Sequence, residues 1–273
     1  MITVSIVVHN TPEFQLNRVI DCLLPSKVHK IFIIDNSESE DLFIIADRDP
    51  RIEYLHVENR GFGAGHNIAI NNAEKIGARY HLVLNADVYW EDDIIPDLEK
   101  YMDENPDVGL VSPKTYYPNG NLQFTCRKLP TPQDLFFKRF LPKKFSRERM
   151  TDYLLMNHDH DRELNCPYLL GSFMFFRMEA FKETGKFDER FFLYPEDIDI
   201  TRRLHEKWKT MYWPGVTIVH EHQQASKKNL RMFFTHFFNM VKYFNKWGWI
   251  NDPQRKIANE ILDVEIRKEN EAL

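Results

Sequence analysis

The chain has 273 residues, which is enough for one large α/β domain or for one domain with a small appendage. Its 36 Lys and Arg residues against 41 Asp and Glu residues give a net charge of −5, which argues against a general affinity for nucleic acid. The three cysteines have no CxxC spacing, so we expect them to be reduced thiols of an intracellular protein.

The N-terminal sequence favours a strand over a targeting signal. Residues 1–8 lack the basic segment of a signal peptide and are rich in β-branched residues. No apolar run reaches the roughly 18 residues of a membrane-spanning helix. We therefore expect a cytoplasmic protein that is soluble or at most attached to a membrane surface.

Strand and helix patterns alternate through the first half of the chain. Continuous apolar, β-rich runs predict strands that are buried on both faces. The predicted strands cover residues 3–8, 30–35, 52–57, 80–85 and 108–112, and the predicted helices cover residues 14–24, 64–76 and 92–104. Repeated β-α-β units imply an α/β fold with a mostly parallel sheet, in which ligands bind beyond the carboxyl ends of the strands.

The second half is less regular. Its segments are a proline-containing stretch 118–141, a basic stretch 136–149, an apolar run 168–176, a helix 196–207, short strands 211–213 and 216–219 around a Pro-Gly turn, an aromatic helix 227–247 and a charged helical tail. In the aromatic helix, large rings recur at three- and four-residue spacings with basic residues beside them. This pattern fits core packing, a homodimer seam or docking to a membrane surface.

Three polar residues fall at or just after the ends of predicted strands: Asn10, Asp35 and Asp87. A carboxylate such as that of Asp87 can bind Mg²⁺ or Mn²⁺, which prefer oxygen ligands and commonly bridge to substrate phosphates. Asp35 can accept hydrogen bonds from a nucleotide base or ribose. The alternative for each residue is an Asx turn or a helix cap.

A glycine-rich loop opens the predicted helix 64–76, with glycines at Gly61, Gly63 and Gly65. Such a loop lets the backbone approach a ligand closely, and the helix N-terminus offers unpaired N–H groups to an anion. The spacing is neither the GxGxxG of dinucleotide-binding proteins nor a Walker loop. The alternative is a loop that is merely flexible.

An acidic cluster threaded with large apolar residues follows near position 190. Residues 187–199, FDERFFLYPEDID, hold five carboxylates beside Phe, Leu and Tyr. Carboxylates in apolar surroundings lose solvation, which raises their pKa and makes them candidate proton acceptors. Further on, His220 and His222 flank Glu221 after a short strand, as metal ligands or as structural hydrogen-bonding residues without a clear third ligand.

Together these segments resemble the family-2 inverting glycosyltransferases, and within them the rhamnosyltransferase-like branch that builds cell-surface polysaccharide. The matching segments are VSIVVHN, IIDNS, NRGFGAGHNIAI, LNADV, LLGSFMFFRMEAF, GKFDERFFLYPEDIDITRR and VHEHQQAS. The resemblance implies a GT-A nucleotide-diphospho-sugar transferase fold over residues 1–226. Residues 1–115 would form its nucleotide-sugar-binding half. Residues 116–226 would form the acceptor and catalytic half, with a variable insert at about 119–165, and a C-terminal helical extension would follow at residues 227–273.

The resemblance also implies roles for individual positions. Asp197 would be the catalytic base, with Glu196 as its rival, and Asp188 and Asp199 would be structural. Asp87 would bind a divalent metal, Mn²⁺ or Mg²⁺, with His220 near the metal or the diphosphate. Donor contacts would come from Asn10, Asp35, Arg60, Gly61, Gly63, Gly65, Asn67 and Asn85. Asn85 stands where the family's Asp-x-Asp motif has its first Asp, so Asp87 is the only charged residue of the triplet.

The expected partners are a nucleotide-sugar donor, with dTDP-rhamnose first and a UDP-hexose second, and a glycan or polyprenyl-diphosphate-linked acceptor at the inner face of the cell membrane. Two other functions remain as alternatives. A nucleotidyltransferase would need a basic, glycine-rich loop after the first strand, which residues 8–12 lack. A non-catalytic nucleotide-sugar-binding protein would not need the Glu196-Asp197 pair.

Overall fold

The computed structural model describes residues 1–136, 143–221 and 230–271. The strands are β1 Ile2–Val8, β2 Lys30–Asp35, β3 Ile52–His56, β4 Tyr80–Leu84, β5 Val88–Tyr89, β6 Val108–Tyr116, β7 Leu122–Gln123, β8 Cys126–Arg127, β9 Leu164–Asn165, β10 Tyr168–Leu169, β11 Phe173–Arg177 and β12 Lys209–His220. The helices are α1 Glu13–Leu23, α2 Phe62–Lys75, α3 Ile95–Glu104, α4 Pro132–Phe136, α5 Lys143–Tyr153, α6 Met178–Thr184, α7 Glu196–His205, α8 Leu230–Trp247 and α9 Pro253–Glu271, with a 3-10 helix at Phe43–Arg48.

Some sequence-based predictions lie outside the described residues. They are positions 137–142 of the basic stretch, His222, and the first residues 227–229 of the aromatic helix. Among the residues that are described, the predicted alternation of strands and helices in the first half is confirmed. Element ends lie within three residues of those expected, except that the strand predicted at 108–112 continues to Tyr116.

One mixed sheet runs through the described residues, with ten strands. Its order is β3-β2-β1-β4-β11-β6-β12-β5, and β7 and β9 pair with β6 and β12 at its sides. β1 is parallel to both β2 and β4, and β2 is parallel to β3. The carboxyl ends of these four strands therefore lie on one edge, where parallel sheets bind their ligands.

Helices cover both faces of the sheet, which explains why its central strands are apolar without alternation. On one face, Val4 and Ile6 of β1 belong to a core that includes residues of α1 and α3. On the other face, Phe32 and Ile34 of β2 belong to a core that includes residues of α2, α6 and α7. The α/β class expected from the sequence is thus confirmed.

The apolar run 168–176 is two strands rather than one. Tyr168–Leu169 pairs with β8 in a separate two-stranded sheet, and Phe173–Arg177 enters the main sheet antiparallel to β4 and β6. Between them, residues Gly171 and Ser172 turn the chain at the carboxyl end of β4, because Phe173 pairs with Leu84. This turn reaches the edge where the candidate residues were expected.

The prediction of two short strands around Pro214-Gly215 was wrong. β12 is one strand, parallel to β6 on both sides of this dipeptide, with a shift of register between Trp213 and Thr217. A Cβ added at Gly215 would lie 2.2 Å from the Trp213 ring, so the chain folds back closely on that side chain. The dipeptide therefore makes a bulge within a strand and does not end it.

The C-terminal helices pack on the region of the domain that holds α7. Met240, Tyr243 and Phe244 of α8 share a third core with Phe191 and Ile198. None of the helices described for this chain combines the length and the apolarity needed to span a membrane.

Candidate active site

The turn after β4 brings two predicted metal-binding residues together. Asn85-Ala86-Asp87 follows β4, and β5 then pairs with the end of β12 through Val88 and His220. This pairing places Nε2 of His220 3.3 Å from Oδ1 of Asp87. A carboxylate and an imidazole therefore meet at the carboxyl edge of the parallel strands.

His220 is held on its other side by a residue that the sequence analysis did not single out. Its Nδ1 lies 2.7 Å from Oε1 of Gln123, which is buried on β7. A hydrogen bond at one ring nitrogen orients the imidazole and selects its tautomer. Gln123 thereby keeps the other nitrogen of His220 directed at Asp87.

The metal-ligating atoms at this turn fit a divalent cation that is bound partly by the protein and partly by a substrate. Asp87 offers a carboxylate oxygen and His220 an imidazole nitrogen, and the buried Oδ1 of Asn85 has no hydrogen-bond partner among the described residues. No three His, Cys, Asp or Glu side chains within the described ranges are grouped to hold a metal by themselves. Mn²⁺ or Mg²⁺ would therefore take its remaining ligands from phosphate oxygens and water.

Asp197 lies in the first turn of α7, and both of its carboxylate oxygens accept hydrogen bonds. Oδ2 accepts from the backbone N–H of Gly171 at 3.1 Å and from the Tyr168 hydroxyl at 3.3 Å. Oδ1 accepts from the N–H of Ile198 at 2.8 Å. These donors and the N-terminal end of the helix favour a negative charge at this position.

The turn between β10 and β11 connects this carboxylate to the metal-binding turn. Gly171 donates to Asp197, and the carbonyl of the next residue, Ser172, accepts from the N–H of Asn85 at 3.0 Å. A Cβ added at Gly171 would lie 2.9 Å from Cβ of Asp197, which is closer than folded proteins allow. Asp197 and the Asn85-Ala86-Asp87 turn are therefore joined through two consecutive residues.

Burial raises the pKa of two neighbouring carboxyl groups, Glu196 and Asp197. Burial raises the pKa of Asp197 to about 6, although its backbone hydrogen bonds and the charge of Arg127 oppose the rise. Burial also raises the pKa of Glu196 well above its usual range, and the charge of Asp197 raises it further. Glu196 is 4% exposed, and its Oε2 has no partner among the residues that the structure describes. The pKa values of both carboxyl groups are therefore raised, and Glu196 has the charge of Asp197 as an additional cause.

The other two aspartates of the acidic cluster are structural, as the sequence predicted. Asp199 is fully buried and accepts hydrogen bonds from Arg203 at 2.9 Å and from the Trp247 indole at 2.8 Å. Asp188 pairs with Arg190 at 2.6 Å, and this hydrogen bond holds the pKa of Asp188 well below its usual range.

Asn10 and Asp35 lie side by side at the ends of β1 and β2. The N–H of Asn10 donates to Oγ of Ser37 at 2.8 Å, and Asn10 has a φ of 51°. Asp35 is fully buried and accepts from the Tyr54 hydroxyl at 2.6 Å and from the N–H of Ser37 at 2.8 Å. In the structure, Asp35 holds the turn at Ser37 at the carboxyl end of β2.

The glycine-rich loop lies against the segment that leads to Asp197. Gly61 has a φ of 101°, and a Cβ there would lie 2.2 Å from the carbonyl oxygen of Phe192, which accepts a hydrogen bond from Phe62 at 3.0 Å. The added Cβ atoms at Gly63 and Gly65 would meet Phe187 and Val7 at 2.9 and 2.8 Å. A side chain at any of these three positions would therefore collide with neighbouring protein atoms, and a role of the glycines in donor binding stays a prediction.

Asn67 ties helix α2 to the same segment. Its Nδ2 donates to the carbonyl of Phe187 at 2.9 Å, and its Oδ1 accepts from the N–H of Phe187 at 3.0 Å. Arg60, which is exposed, pairs with Glu189 at 3.0 Å. The predicted donor-binding loop and the predicted catalytic segment are thus in direct contact.

Residues 3–185, about two thirds of the chain, match the family model described as glycosyl transferase family 2. The chain belongs to this family. The family match ends before Asp197, so the structure alone places that residue beside the matched turns.

Two curated bacterial proteins are similar to this family 2 chain. The N-acetylglucosaminyl-diphospho-decaprenol L-rhamnosyltransferase of Mycobacterium tuberculosis is 27% identical over 149 residues, which cover 54% of this chain and 48% of that protein. Rhamnosyltransferase WbbL of Escherichia coli K12 is 24% identical over 214 residues, which cover 75% of this chain and 76% of that protein. The chain therefore spans about half the length of the mycobacterial relative.

Solved structures show the fold of this family 2 chain. GalNAc-T7, crystallised with UDP, GalNAc and Mn²⁺, superposes with a TM-score of 0.62 at 18% identity and covers 80% of this chain and 42% of its own. TarS of S. aureus superposes with a TM-score of 0.57 at 14% identity and covers 89% of this chain and 40% of its own. The predicted GT-A fold is confirmed by these likenesses.

Sequence reasoning missed four residues that shape the site of this family 2 protein. They are Gln123, Arg127, Tyr168 and Gly171. A Gly-Ser dipeptide inside a run of large apolar residues was the available signal for Gly171. Gln123 and Arg127 lie in residues 119–165, where no motif in the sequence marks them.

Proposed function

We propose that this family 2 chain transfers a sugar from a nucleotide-diphosphate sugar to a hydroxyl of a glycan or lipid-linked acceptor, with inversion, in cell-surface polysaccharide synthesis. The supporting observation is that Gly171 donates to the carboxylate of Asp197 while the next residue, Ser172, accepts from Asn85 in the turn that carries Asp87 beside His220. The names of the two bacterial relatives favour rhamnose as the sugar. We take dTDP-rhamnose as the first donor to test and UDP-hexoses as the second.

Asp197 acts as the general base in this proposal. The acceptor hydroxyl gives its proton to Asp197 while its oxygen forms a bond to the anomeric carbon of the donor sugar. The bond from that carbon to the phosphate oxygen breaks, and the nucleoside diphosphate leaves on the opposite face. One displacement assisted by one base inverts the anomeric centre, and a carboxylate with a pKa of about 6 is ionised at neutral pH.

The leaving diphosphate gains negative charge as its bond to the sugar breaks. A divalent cation bound by Asp87 and His220 would neutralise that charge. Gln123 would keep the His220 ring in its binding orientation, because it holds Nδ1 at 2.7 Å. The Mn²⁺ named with UDP in the GalNAc-T7 structure is consistent with this use of the site.

The nucleotide and the donor sugar would lie along the carboxyl edge of β1, β2 and β4. Asn10 and Asp35 frame one end of this edge, and Asn85 lies at the other. We assign donor binding to Asn10, Asp35, Arg60, Gly61, Gly63, Gly65, Asn67 and Asn85. In this assignment Gly61, Gly63, Gly65 and Asn67 act by shaping the loop, since their own neighbours are protein atoms.

The acceptor is proposed to be linked to a polyprenyl diphosphate at the inner face of the cell membrane. Helix α8 exposes Phe234, Phe237 and Phe238, whose surfaces are 54%, 40% and 59% accessible. Such a face can enter the headgroup region of a bilayer. Co-sedimentation with anionic vesicles tests this proposal: binding that is lost in a Phe237→Ser/Phe238→Ser variant supports it, and its absence in the parent chain contradicts it. A dimer in light scattering would indicate that the face pairs with a second copy.

The enzymatic proposal is tested with a panel of nucleotide sugars, with and without Mn²⁺ or Mg²⁺. We expect metal-dependent release of one nucleoside diphosphate, and we expect Asp87→Ala to lower the affinity for Mn²⁺ measured with that nucleotide by about 10- to 100-fold. Absence of binding to every nucleotide tested would contradict the glycosyltransferase proposal.

The variant Asp197→Asn distinguishes between the proposal of an enzyme and that of a non-catalytic binding protein. An enzyme should lose release of the diphosphate and keep its nucleotide affinity, because the variant removes only the proton acceptor. A nucleotide-sugar-binding protein should bind the donor without metal-dependent hydrolysis, and Asp197→Asn should then change nothing.

A further inference from the structure

Helix α8 makes specific contacts with the segment that carries Asp197, although it lies outside the residues matched by the family model. The contacts begin on the N-terminal side of the base. Nδ2 of Asn239 donates to the carbonyl of Leu193 at 2.9 Å, and Nζ of Lys242 donates to the carbonyl of Arg190 at 2.9 Å. These bonds satisfy backbone carbonyls of a loop that has little regular structure of its own.

The loop is strained at the point where α8 holds it. Tyr194 has a φ of 86°, a left-handed conformation that a bulky residue rarely adopts. Such strain costs about 1–3 kcal/mol and persists only where the surroundings fix it. The ring of His236 packs edge-on to that of Tyr194 with centroids 4.6 Å apart, and Asn239 holds the preceding carbonyl. Helix α8 therefore fixes both the peptide and the side chain at the strained residue.

Helix α8 also holds the other side of the base. Asp199, two residues after Asp197, accepts from Nζ of Lys246 at 2.6 Å and from Nε1 of Trp247 at 2.8 Å. The same Lys246 pairs with Asp188 at 2.8 Å. One helix thus contacts the chain before and after Asp197, in addition to the hydrogen bond that Gly171 donates to the carboxylate.

We infer that α8 is a positioning element for Asp197, and that Asn239, Lys246 and Trp247 are positioning residues for the proton-accepting step. None of them needs to touch the substrate, because each acts through the backbone or the first turn of α7. The inference rests on the proposed function, since it gives α8 a role in the same reaction. It makes the C-terminal extension a component of the catalytic unit.

Hydrogen exchange of the full chain measures how strongly the contacts with α8 protect residues 188–199. Asn239→Asp keeps the shape of the side chain and replaces the donor to Leu193 with an acceptor. We expect amides of residues 188–199 to exchange roughly tenfold faster, while amides of β1 keep their protection. Asn245→Asp makes the same chemical change at an exposed position of α8, where the Trp249 indole donates to Oδ1, and should leave both regions unchanged.

The kinetics of nucleoside diphosphate release then test whether the contacts between α8 and residues 188–199 affect the reaction rate. We expect Asn239→Asp to lower kcat roughly ten- to hundredfold with little change in KM for the nucleotide sugar. The reason is that the substitution displaces Asp197 and leaves the proposed donor site at the carboxyl ends of β1, β2 and β4 in place. In an Asp197→Asn background the same substitution should have no further effect, since the residue it positions can no longer act. Trp247→Phe keeps an aromatic ring over Arg202 and removes the hydrogen bond to Asp199, which follows Asp197 in the chain. It should lower kcat in the same way.

Three results would overturn the inference: unchanged exchange in residues 188–199, faster exchange in β1 as well, or a full effect of Asn239→Asp in the Asp197→Asn background. A parent chain that releases no diphosphate from any donor would contradict the proposed function instead. The exchange comparison would then decide by itself whether α8 holds the segment.

Discussion

Gly171 donates a hydrogen bond to Asp197 and leaves no room for a side chain between the two residues. The N–H donates to Oδ2 of Asp197 at 3.1 Å, and a Cβ at position 171 would lie 2.9 Å from Cβ of Asp197. The smallest added side chain must therefore move the carboxylate or the turn.

Gly171→Ala should lower the rate of diphosphate release by about a hundredfold, because a shift of the base by roughly an ångström can cost that much. The rate is compared with that of Gly120→Ala, where a Cβ meets nothing within 4 Å but the φ of 79° strains an alanine. The control should lose about 1 kcal/mol of stability and keep its rate. Equal rates in Gly171→Ala and the parent chain would show that the turn does not position Asp197.

The pH dependence of kcat/KM should reflect the ionisation of Asp197. Its pKa of about 6 means that the base is protonated and inactive at lower pH, so kcat/KM should fall about tenfold per unit below pH 6 and level off above it. Residual activity of Asp197→Asn should lack this inflection. A profile of the parent chain that stays flat from about pH 5 to pH 7 would contradict the assignment of the base.

Glu196→Gln should change the stability of the protein in a pH-dependent way and have little effect on its activity. The folded-state pKa of Glu196 is raised above its unfolded value of 4.5, so its contribution to stability is present below that pH and is lost as pH rises through the folded pKa. A neutral glutamine avoids this loss. We expect Glu196→Gln to be more stable than the parent chain in urea at pH 8 and nearly equal to it at pH 4.5.

The same variant should retain most of the rate of diphosphate release, because Asp197 and not Glu196 accepts the proton in the proposed reaction. Loss of activity in Glu196→Gln together with full activity in Asp197→Asn would reverse the roles of the two carboxyl groups.

The buried ion pair between Arg202 and Asp252 should dominate the stability of the C-terminal extension. Both side chains are 2% exposed, and two hydrogen bonds of 2.8 and 2.5 Å join them. Asp252→Ala would leave the guanidinium buried without its carboxylate, which should lower the free energy of unfolding by about 3–5 kcal/mol. Lys256→Ala removes half of an exposed pair on α9 and should change it by less than about 1 kcal/mol. Similar urea midpoints for the two variants would contradict this assignment.

The sequence predicts the elements whose signal is local. The strand Lys30–Asp35 has the expected ends because a strand buried on both faces is a continuous apolar run between polar residues. β12 was misjudged because Pro214 and Gly215 have the same local signature in a turn and in a bulge. Only the pairing with β6 on both sides distinguishes the two.

Motifs in the sequence single out Asp87 and Asp197, and the structure links the turns on which they lie through Gly171 and Ser172. The site is not predictable where a residue acts through a distant partner. Gln123 and His220 are 97 positions apart, and Gly171 and Asp197 are 26 apart. No spacing rule links such pairs, because the fold alone decides which loops meet.

The short sheet of β8 and β10 has a consequence for engineering. In it, Arg127 pairs with Tyr168, whose hydroxyl donates to Asp197. Exchange of residues 119–165, which the family resemblance predicts to vary with the acceptor, would replace the residue that pairs with Tyr168. Chimeras that exchange acceptor preference should keep positions 127 and 168 from the same parent.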